Sequence, residues 1–76
     1  MNASSFTVVL ESYGHPLEAL WESILNHENR RTGGQYERVE SEQIARDLQA
    51  RAVEKAVREY PMATDFPRFE AVPLWY

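Results

Sequence analysis

The sequence predicts a small α+β domain in which two helices pack on one face of a two- or three-stranded antiparallel sheet. Residues 41–60 contain no Gly or Pro and carry apolar side chains at helical spacing, whereas residues 6–12 alternate as a strand does. A short apolar segment between two prolines near the C-terminus can pair with that strand. The chain has 76 residues, the length of one domain, and we predict a single domain over residues 1–76.

The first strand and the first helix follow from two apolar patterns. Phe6, Val8 and Leu10 alternate with more polar residues, which predicts a strand over 6–12. Pro16 is tolerated at the first position of a helix, and the residues after it form one apolar stripe, which predicts helix one over 16–29. The stripe consists of Leu17, Leu20, Trp21, Ile24 and Leu25.

Two glycines mark the end of helix one. Gly33 and Gly34 can adopt the positive φ that closes a helix, and Arg30 and Arg31 complement the negative end of the helix dipole. The same run of arginines and glycines could alternatively bind a phosphate. Residues 35–39 are a weak strand at best.

Helix two is predicted to begin after Ser41 as its N-cap, and Pro61 ends it. Its apolar residues recur every four positions, so the apolar row slants around the helix and predicts an oblique crossing with close packing at Ala52 and Ala56. The row consists of Ile44, Leu48, Ala52, Ala56 and Tyr60. Three charge pairs at i,i+4 spacing should support the helix, namely Glu42 with Arg46, Asp47 with Arg51, and Glu54 with Arg58.

The C-terminal segment is rich in aromatic residues. After a turn at residues 63–65, residues 69–72 can form an edge strand between Pro67 and Pro73. Trp75 and Tyr76 either close the core or anchor a partner protein.

The sequence contains no pattern typical of catalysis or cofactor binding. His15 and His27 are the only histidines and cysteine is absent, so no metal-ligand cluster is predicted. Glu18 and Glu22 lie one helical turn apart, but exposed helices carry such pairs routinely. We therefore expect a protein that is not an enzyme and has no catalytic residue, metal or cofactor.

Charge is distributed unevenly along the chain. The net charge is −4, and no Lys or Arg precedes Arg30. A protein that neutralises many phosphates should carry a basic excess, so direct nucleic-acid binding is disfavoured, whereas an acidic surface suits a basic protein partner. We predict that the partner-binding residues are Glu11, Glu18, Glu22, Glu28, Trp75 and Tyr76.

These observations favour a non-catalytic protein-binding module, a small acidic regulator or inhibitor that covers a basic surface of a larger nucleic-acid-handling protein. The composition is similar to that of small acidic, cysteine-free proteins that phages and mobile elements direct against host defence, including inhibitors of CRISPR systems. Two alternatives stay open. One is a nucleic-acid-associated transcriptional regulator that uses the arginines around residues 30–58, and the other is a small hydrolase or nuclease that uses Glu18, Glu22 and a histidine.

The sequence also predicts a location and an oligomeric state. The absence of cysteine favours the cytoplasm, and the N-terminal apolar run is too short for a signal peptide or a membrane span. We therefore expect a cytoplasmic protein without membrane contact, present as a monomer or a small homo-oligomer.

Overall fold

The computed structural model describes residues 5–12 and 14–75. Its elements are β1 (Ser5–Glu11), α1 (Glu18–Thr32), α2 (Arg38–Glu59) and β2 (Arg68–Leu74). The two strands form an antiparallel sheet, α2 packs against both strands, and α1 packs against β1 and α2. The predicted small α+β fold is confirmed. Neither of these helices has the length and apolarity that crossing a membrane requires.

The register of the sheet decides which side chains meet the helices. Ser5 lies opposite Leu74, and Glu11 lies opposite Arg68 at the other end. Because side chains alternate between the two faces of a strand, Val8 and Phe69 share one face, and both are buried. The helices therefore cover the face that carries the alternate apolar residues of β1.

A full third strand does not form among the described residues. Tyr36 exchanges two backbone hydrogen bonds with Phe6, both 2.8 Å long, and this bridge is isolated because α2 begins two residues later. Phe6 directs its N–H and C=O toward Tyr36 and therefore away from Pro73, which lies opposite it on β2. Pro73 consequently occupies the strand without removing a hydrogen bond of the ladder.

The start of α2 differs from the prediction. The helix begins at Arg38, and Glu37 and Glu40 form a capping box in which the Glu37 N–H donates to Glu40 Oε1 at 3.4 Å. Ser41 is not the N-cap but a fully buried residue whose hydroxyl donates to the Arg38 carbonyl at 2.7 Å. Glutamate is not among the residues favoured at an N-cap, so N-cap preferences predict Ser41 instead of Glu37.

Both ends of α1 lie later in the chain than the predicted 16–29, the first by two residues and the second by three. The helix runs from Glu18 to Thr32, and Gly33 follows with a φ of 88°. The Gly33 N–H donates to the Asn29 carbonyl at 2.8 Å, as expected of a glycine that closes a helix. The predicted glycine terminator is confirmed.

Trp21 lies at the centre of the core. Its side chain is fully buried, and its ring stacks on Phe66 and Phe69 with ring centroids 5.7 and 6.4 Å away. The middle of α2 completes the core with fully buried Leu48, Ala52 and Ala56. The predicted apolar row fails at its C-terminal end, where Tyr60 is 50% exposed.

The charge pairs along α2 differ from those that the sequence predicts, and Glu42 pairs with Arg38 at 3.7 Å instead of with Arg46. Within the described residues one of the three predicted pairs is present, with Arg58 Nη2 3.6 Å from Glu54 Oε1. Arg46 donates instead to a neighbouring glutamine, and Arg51 turns toward Glu28 on α1, at 3.6 Å. The sequence spacing allows an i,i+4 pair, but competing partners decide whether it forms.

A side chain of α2 covers the outer edge of β2. Gln49 Nε2 donates to the Pro67 carbonyl at 2.8 Å, and Gln49 Oε1 accepts the Phe69 N–H at 3.0 Å. The side-chain amide of Gln49 thus forms hydrogen bonds with the backbone of this segment that a neighbouring strand would otherwise form. Because Pro73 offers no N–H near the other end, this edge is poorly suited to pairing with another chain.

The buried position of Leu48 predicts a large loss of stability on truncation. Leu48→Ala should lower the free energy of unfolding by about 2–5 kcal/mol, because it leaves a cavity in a filled core. Val57→Ala removes apolar atoms from the same helix at a site that is 53% exposed, and should change stability by about 0.5 kcal/mol or less. Urea unfolding of both variants provides the measurement, and equal midpoints would contradict the assigned core.

The hydrogen bonds of Gln49 predict a local effect on β2. Gln49→Ala should destabilise the protein by about 1 kcal/mol, because two backbone groups lose their partner. Amide hydrogen exchange should become faster at Phe69, which loses its acceptor. Gln43→Ala, an exposed glutamine of the same helix, is the control and should leave Phe69 protected. Equal exchange of Phe69 in the two variants would remove Gln49 from the edge.

Candidate functional site

An open cavity of about 320 Å³ lies where β1 ends and β2 begins. The pairing of Glu11 with Arg68 brings two distant segments together at this end of the sheet. We call this site the acidic cavity. It is lined by Glu11, Ser12, His15, Asp65, Phe66, Pro67 and Arg68.

The apolar part of the cavity is held in place from the core. Phe66 stacks on Trp21 with an interplanar angle of 13°, and Pro67 is buried. The Pro67 carbonyl is bonded by Gln49 at 2.8 Å. The backbone and the ring in this segment are therefore fixed by two elements that lie outside the cavity.

Asp65 lines the cavity from a constrained backbone. Its φ is 56°, and it is the one non-glycine residue in the described part of the chain with a positive φ. Aspartate tolerates the left-handed region better than most residues, although the conformation still costs about 1 kcal/mol. Such conformations are concentrated at binding sites, so Asp65 is a candidate functional residue.

His15 joins the two segments of the cavity through backbone groups. Its Nδ1 accepts the Leu17 N–H at 3.0 Å, and its Nε2 lies 3.2 Å from the Thr64 carbonyl. A neutral ring with its proton on Nε2 satisfies both bonds. His15 therefore connects the residues just before α1 to the segment that precedes β2.

Ser12, His15 and Asp65 are the residue types of a nucleophilic triad, but the geometry does not align them as one. Both ring nitrogens of His15 are bonded to backbone groups, so the ring is not available to activate the Ser12 hydroxyl. That hydroxyl is buried and has no hydrogen-bond partner within residues 5–12 and 14–75. The arrangement is that of an open cavity beside a buried hydroxyl, without an aligned base.

Two carboxyl groups lie close together beside the cavity. A hydrogen bond with the Glu11 side chain and the negative charge of Glu11 raise the pKa of Glu70 above its usual range. The register places Glu70 opposite Val9, on the same face of the sheet as Glu11. The two acids repel each other when both are ionised, and a bound cation would relieve that repulsion.

The predicted partner-binding glutamates occupy separate places. Glu11 lines the acidic cavity, whereas Glu18 and Glu22 lie on the first half of α1 and are not among the lining residues. Glu22 is exposed and Glu18 is partly buried. Glu18 and Glu22 therefore lie outside the acidic cavity that Glu11 lines.

Glu28 does not belong to an exposed acidic surface. It is 6% exposed, and its Oε1 accepts a hydrogen bond of 2.8 Å from Arg31 Nε, while Arg51 lies 3.6 Å from its Oε2. The hydrogen bond from Arg31 and the positive charges of Arg31 and Arg51 hold the pKa of Glu28 below its ordinary value of 4.5, although burial acts in the opposite direction. Its position on the buried stripe with Trp21 and Leu25, at i,i+4,i+7 spacing, is the sequence signal for this burial.

The aromatic C-terminus lies far from the acidic cavity. Trp75 is 64% exposed and follows β2 directly, so it does not close the core. A strand rises by about 3.3 Å per residue, which places Trp75 about 20 Å from Arg68 at the cavity. Tyr76 lies outside the described residues.

The sequence did not single out Asp65, Phe66 or Glu70 as functional residues. Asp65 falls in a predicted turn, where aspartate is common, and Phe66 is one of several aromatic residues in the C-terminal segment. Asp65 is distinguished by its positive φ, and Phe66 is distinguished by its stacking on Trp21. Neither feature can be predicted from the spacing of residues in the sequence. An aspartate directly before an aromatic residue and a proline is the only local signal.

The described residues contain no group of three or more His, Cys, Asp or Glu side chains that could hold a metal ion. Comparisons with models of protein families, with characterised proteins and with solved structures give no match.

The buried Glu28 carboxylate predicts a pH dependence of stability. Because its folded-state pKa lies below 4.5, the stabilisation by its ionised form is complete above pH 4.5 and is lost as the pH falls through the lowered pKa. Urea midpoints measured over this range should fall less steeply for Glu28→Gln than for the parent protein. Glu59→Gln changes an exposed glutamate of α2 and should keep the parental slope. The same slope in both variants would contradict the assigned ion pair.

Proposed function

We propose that the protein is a non-catalytic protein-binding module whose acidic cavity receives a lysine or arginine side chain of a basic partner protein. The observation that carries this proposal is the pairing of carboxylates with an apolar wall in one cavity. Glu11 and Asp65 provide the charge, and Phe66 and Pro67 provide the apolar surface. A lysine or arginine side chain complements both parts of the cavity, because it has an apolar stem and a charged end.

The proposed contact uses each part of the cavity. The stem of the partner's side chain packs against Phe66 and Pro67, and its charged end lies between Glu11 and Asp65. An arginine also gains by stacking its guanidinium group on an aromatic ring.

The charge balance around the cavity supports a cationic ligand. The positive charge of Arg68, which also lines the cavity, disfavours a cation, but the two carboxylates of Glu11 and Asp65 outnumber this one guanidinium group. Glu70 lies beside the cavity and repels Glu11 when both are ionised, so a cation bound at Glu11 also relieves that repulsion. We therefore expect the cavity to prefer a cation over a neutral side chain of similar size.

Charges outside the cavity extend the proposed interface. Glu18 and Glu22 steer a basic partner over a longer range, which raises the association rate at low salt. The exposed Trp75 provides a second, apolar contact about 20 Å from the cavity. A standard interface takes about 800 Å² from each partner. The chain exposes 5465 Å², so one side of the molecule is large enough for such an interface.

The proposed biological role is that of a small regulator or inhibitor. A module that occupies the basic surface of a nucleic-acid-handling protein competes there with the phosphates of the nucleic acid. The net charge of the protein is −4, so the protein is negatively charged like the nucleic acid with which it would compete. An anti-defence inhibitor of a phage or mobile element, of the kind that acts on CRISPR systems, falls within this proposal.

Peptide titration tests the cavity directly. We expect the amide signals of Asp65 and Phe66 to shift when ¹⁵N-labelled protein is titrated with acetyl-Gly-Arg-Gly-amide. The neutral control, acetyl-Gly-Gln-Gly-amide, should cause no such shift. The double variant Glu11→Gln, Asp65→Asn should bind the arginine peptide about 2- to 30-fold more weakly, as expected for the loss of two exposed ion pairs. Asparagine also tolerates a positive φ, so the fold of this loop is kept.

A second double variant controls for net charge. Asp47→Asn, Glu59→Gln removes two exposed carboxylates of α2, outside the cavity, and should bind as the parent protein does. Equal shifts with the arginine and glutamine peptides would reject the cation proposal. Equal weakening in the two double variants would show that only overall charge matters.

A further inference from the structure

A second cavity, of about 380 Å³, lies between α1 and α2 and has the opposite charge. We call it the basic cleft. It is lined by Ser23, Ile24, His27, Arg30, Arg51 and Lys55. We infer that the basic cleft binds a compact phosphate group, either as free phosphate or as the phosphomonoester of a small molecule.

The cleft is formed by two helical rows that face each other. Ser23, His27 and Arg30 follow i,i+4,i+7 spacing and share one side of α1. Arg51 and Lys55 lie one turn apart on α2. The five polar side chains therefore converge from two rigid elements, which hold a ligand more accurately than loops do.

The concentration of positive charge is unusual for this chain. Three of its eight Lys and Arg residues line the cleft, although the net charge is −4. Within the described residues, Arg30 and Lys55 form no salt bridge. Like charges that are held together without counterions favour the binding of an anion.

Glu28 positions one of these cations without neutralising the cleft. Its Oε2 lies 3.6 Å from Arg51 Nη2, while its Oε1 is occupied by Arg31 at 2.8 Å. Glu28 is buried, so it is a fixed point against which Arg51 is oriented. Arg51 keeps further N–H groups for a ligand, since a guanidinium group has five donors.

The residue types match a phosphate group. Guanidinium groups bind phosphate oxygens through paired hydrogen bonds, and an ammonium group adds a point charge. The Ser23 hydroxyl and the His27 ring can donate to further oxygens. A volume of about 380 Å³ lies at the small end of the range for ligand cavities, which favours a small molecule.

The surroundings of the cleft disfavour a long polyanion. On α2 the row that carries Arg51 and Lys55 continues with Asp47 four residues before and Glu59 four residues after. Carboxylates thus limit the basic row at both ends. A nucleic-acid strand that placed one phosphate in the cleft would bring the next phosphates toward these acids, whereas a single phosphate group avoids them.

Titration with defined anions tests the inference. ¹⁵N-labelled protein is titrated at constant ionic strength with inorganic phosphate, glycerol 3-phosphate and a short DNA duplex, with chloride as the reference anion. We expect saturable shifts of amide signals along the cleft with phosphate or glycerol 3-phosphate. The stronger of the two identifies the source of the phosphate group. Duplex DNA should bind more weakly than either.

Matched variants separate the cleft from general charge. Arg30→Gln, Lys55→Gln should weaken phosphate binding by about tenfold. Arg46→Gln, Arg58→Gln removes the same charge from α2 outside the cleft and should bind as the parent protein does. Glu11→Gln, Asp65→Asn should also leave phosphate binding unchanged, so the two proposed sites succeed or fail separately.

Three results would overturn the inference. The first is the absence of saturable shifts with both phosphate compounds, and the second is equal binding by the cleft variant and the parent protein. The third is tighter binding of duplex DNA at the cleft with steep salt dependence, which would identify a nucleic-acid surface instead. Dispersed amide spectra of each variant establish that the fold is retained.

Discussion

The stacking of Trp21 on Phe66 and Phe69 is the interaction on which the rest of the structure depends. It joins α1 to the segment that follows α2, two parts of the chain that are distant in sequence. A two-stranded sheet is marginally stable by itself, so β2 needs this anchor and the amide of Gln49 to stay in place. The same anchor fixes Phe66 in the wall of the acidic cavity. Core packing and the proposed site are therefore one arrangement.

Periodicity predicted much of this fold, and tertiary contacts explain most of what it missed. The apolar stripes placed Trp21 and Leu48 in the core, and the glycine signal placed the end of α1. The spacing of Glu28 on the Trp21 stripe signals its burial, but the sequence did not reveal its ion pairs, because its pairing with a residue of the other helix depends on how the helices pack. Nor did it identify Asp65, whose φ is a property of the folded turn.

The two proposed sites give the molecule an uneven charge. Carboxylates gather at the end of the sheet near Glu11, whereas cations gather between the helices at Arg30 and Lys55. The net charge of −4 describes neither surface, since opposite charges on separate surfaces cancel in the sum. A basic partner protein and a phosphate group could bind at the same time, because the two cavities share no lining residue.

Nuclear Overhauser effects from the Trp21 indole in solution test the central claim most directly. If Trp21 anchors the cavity segment, its ring protons should give cross-peaks to the ring protons of both Phe66 and Phe69, whose centroids lie 5.7 and 6.4 Å away. Cross-peaks to α2 alone, with none to Phe66, would contradict the account. In that case the wall of the acidic cavity would lack its support, and the proposed binding site would lose its structural basis.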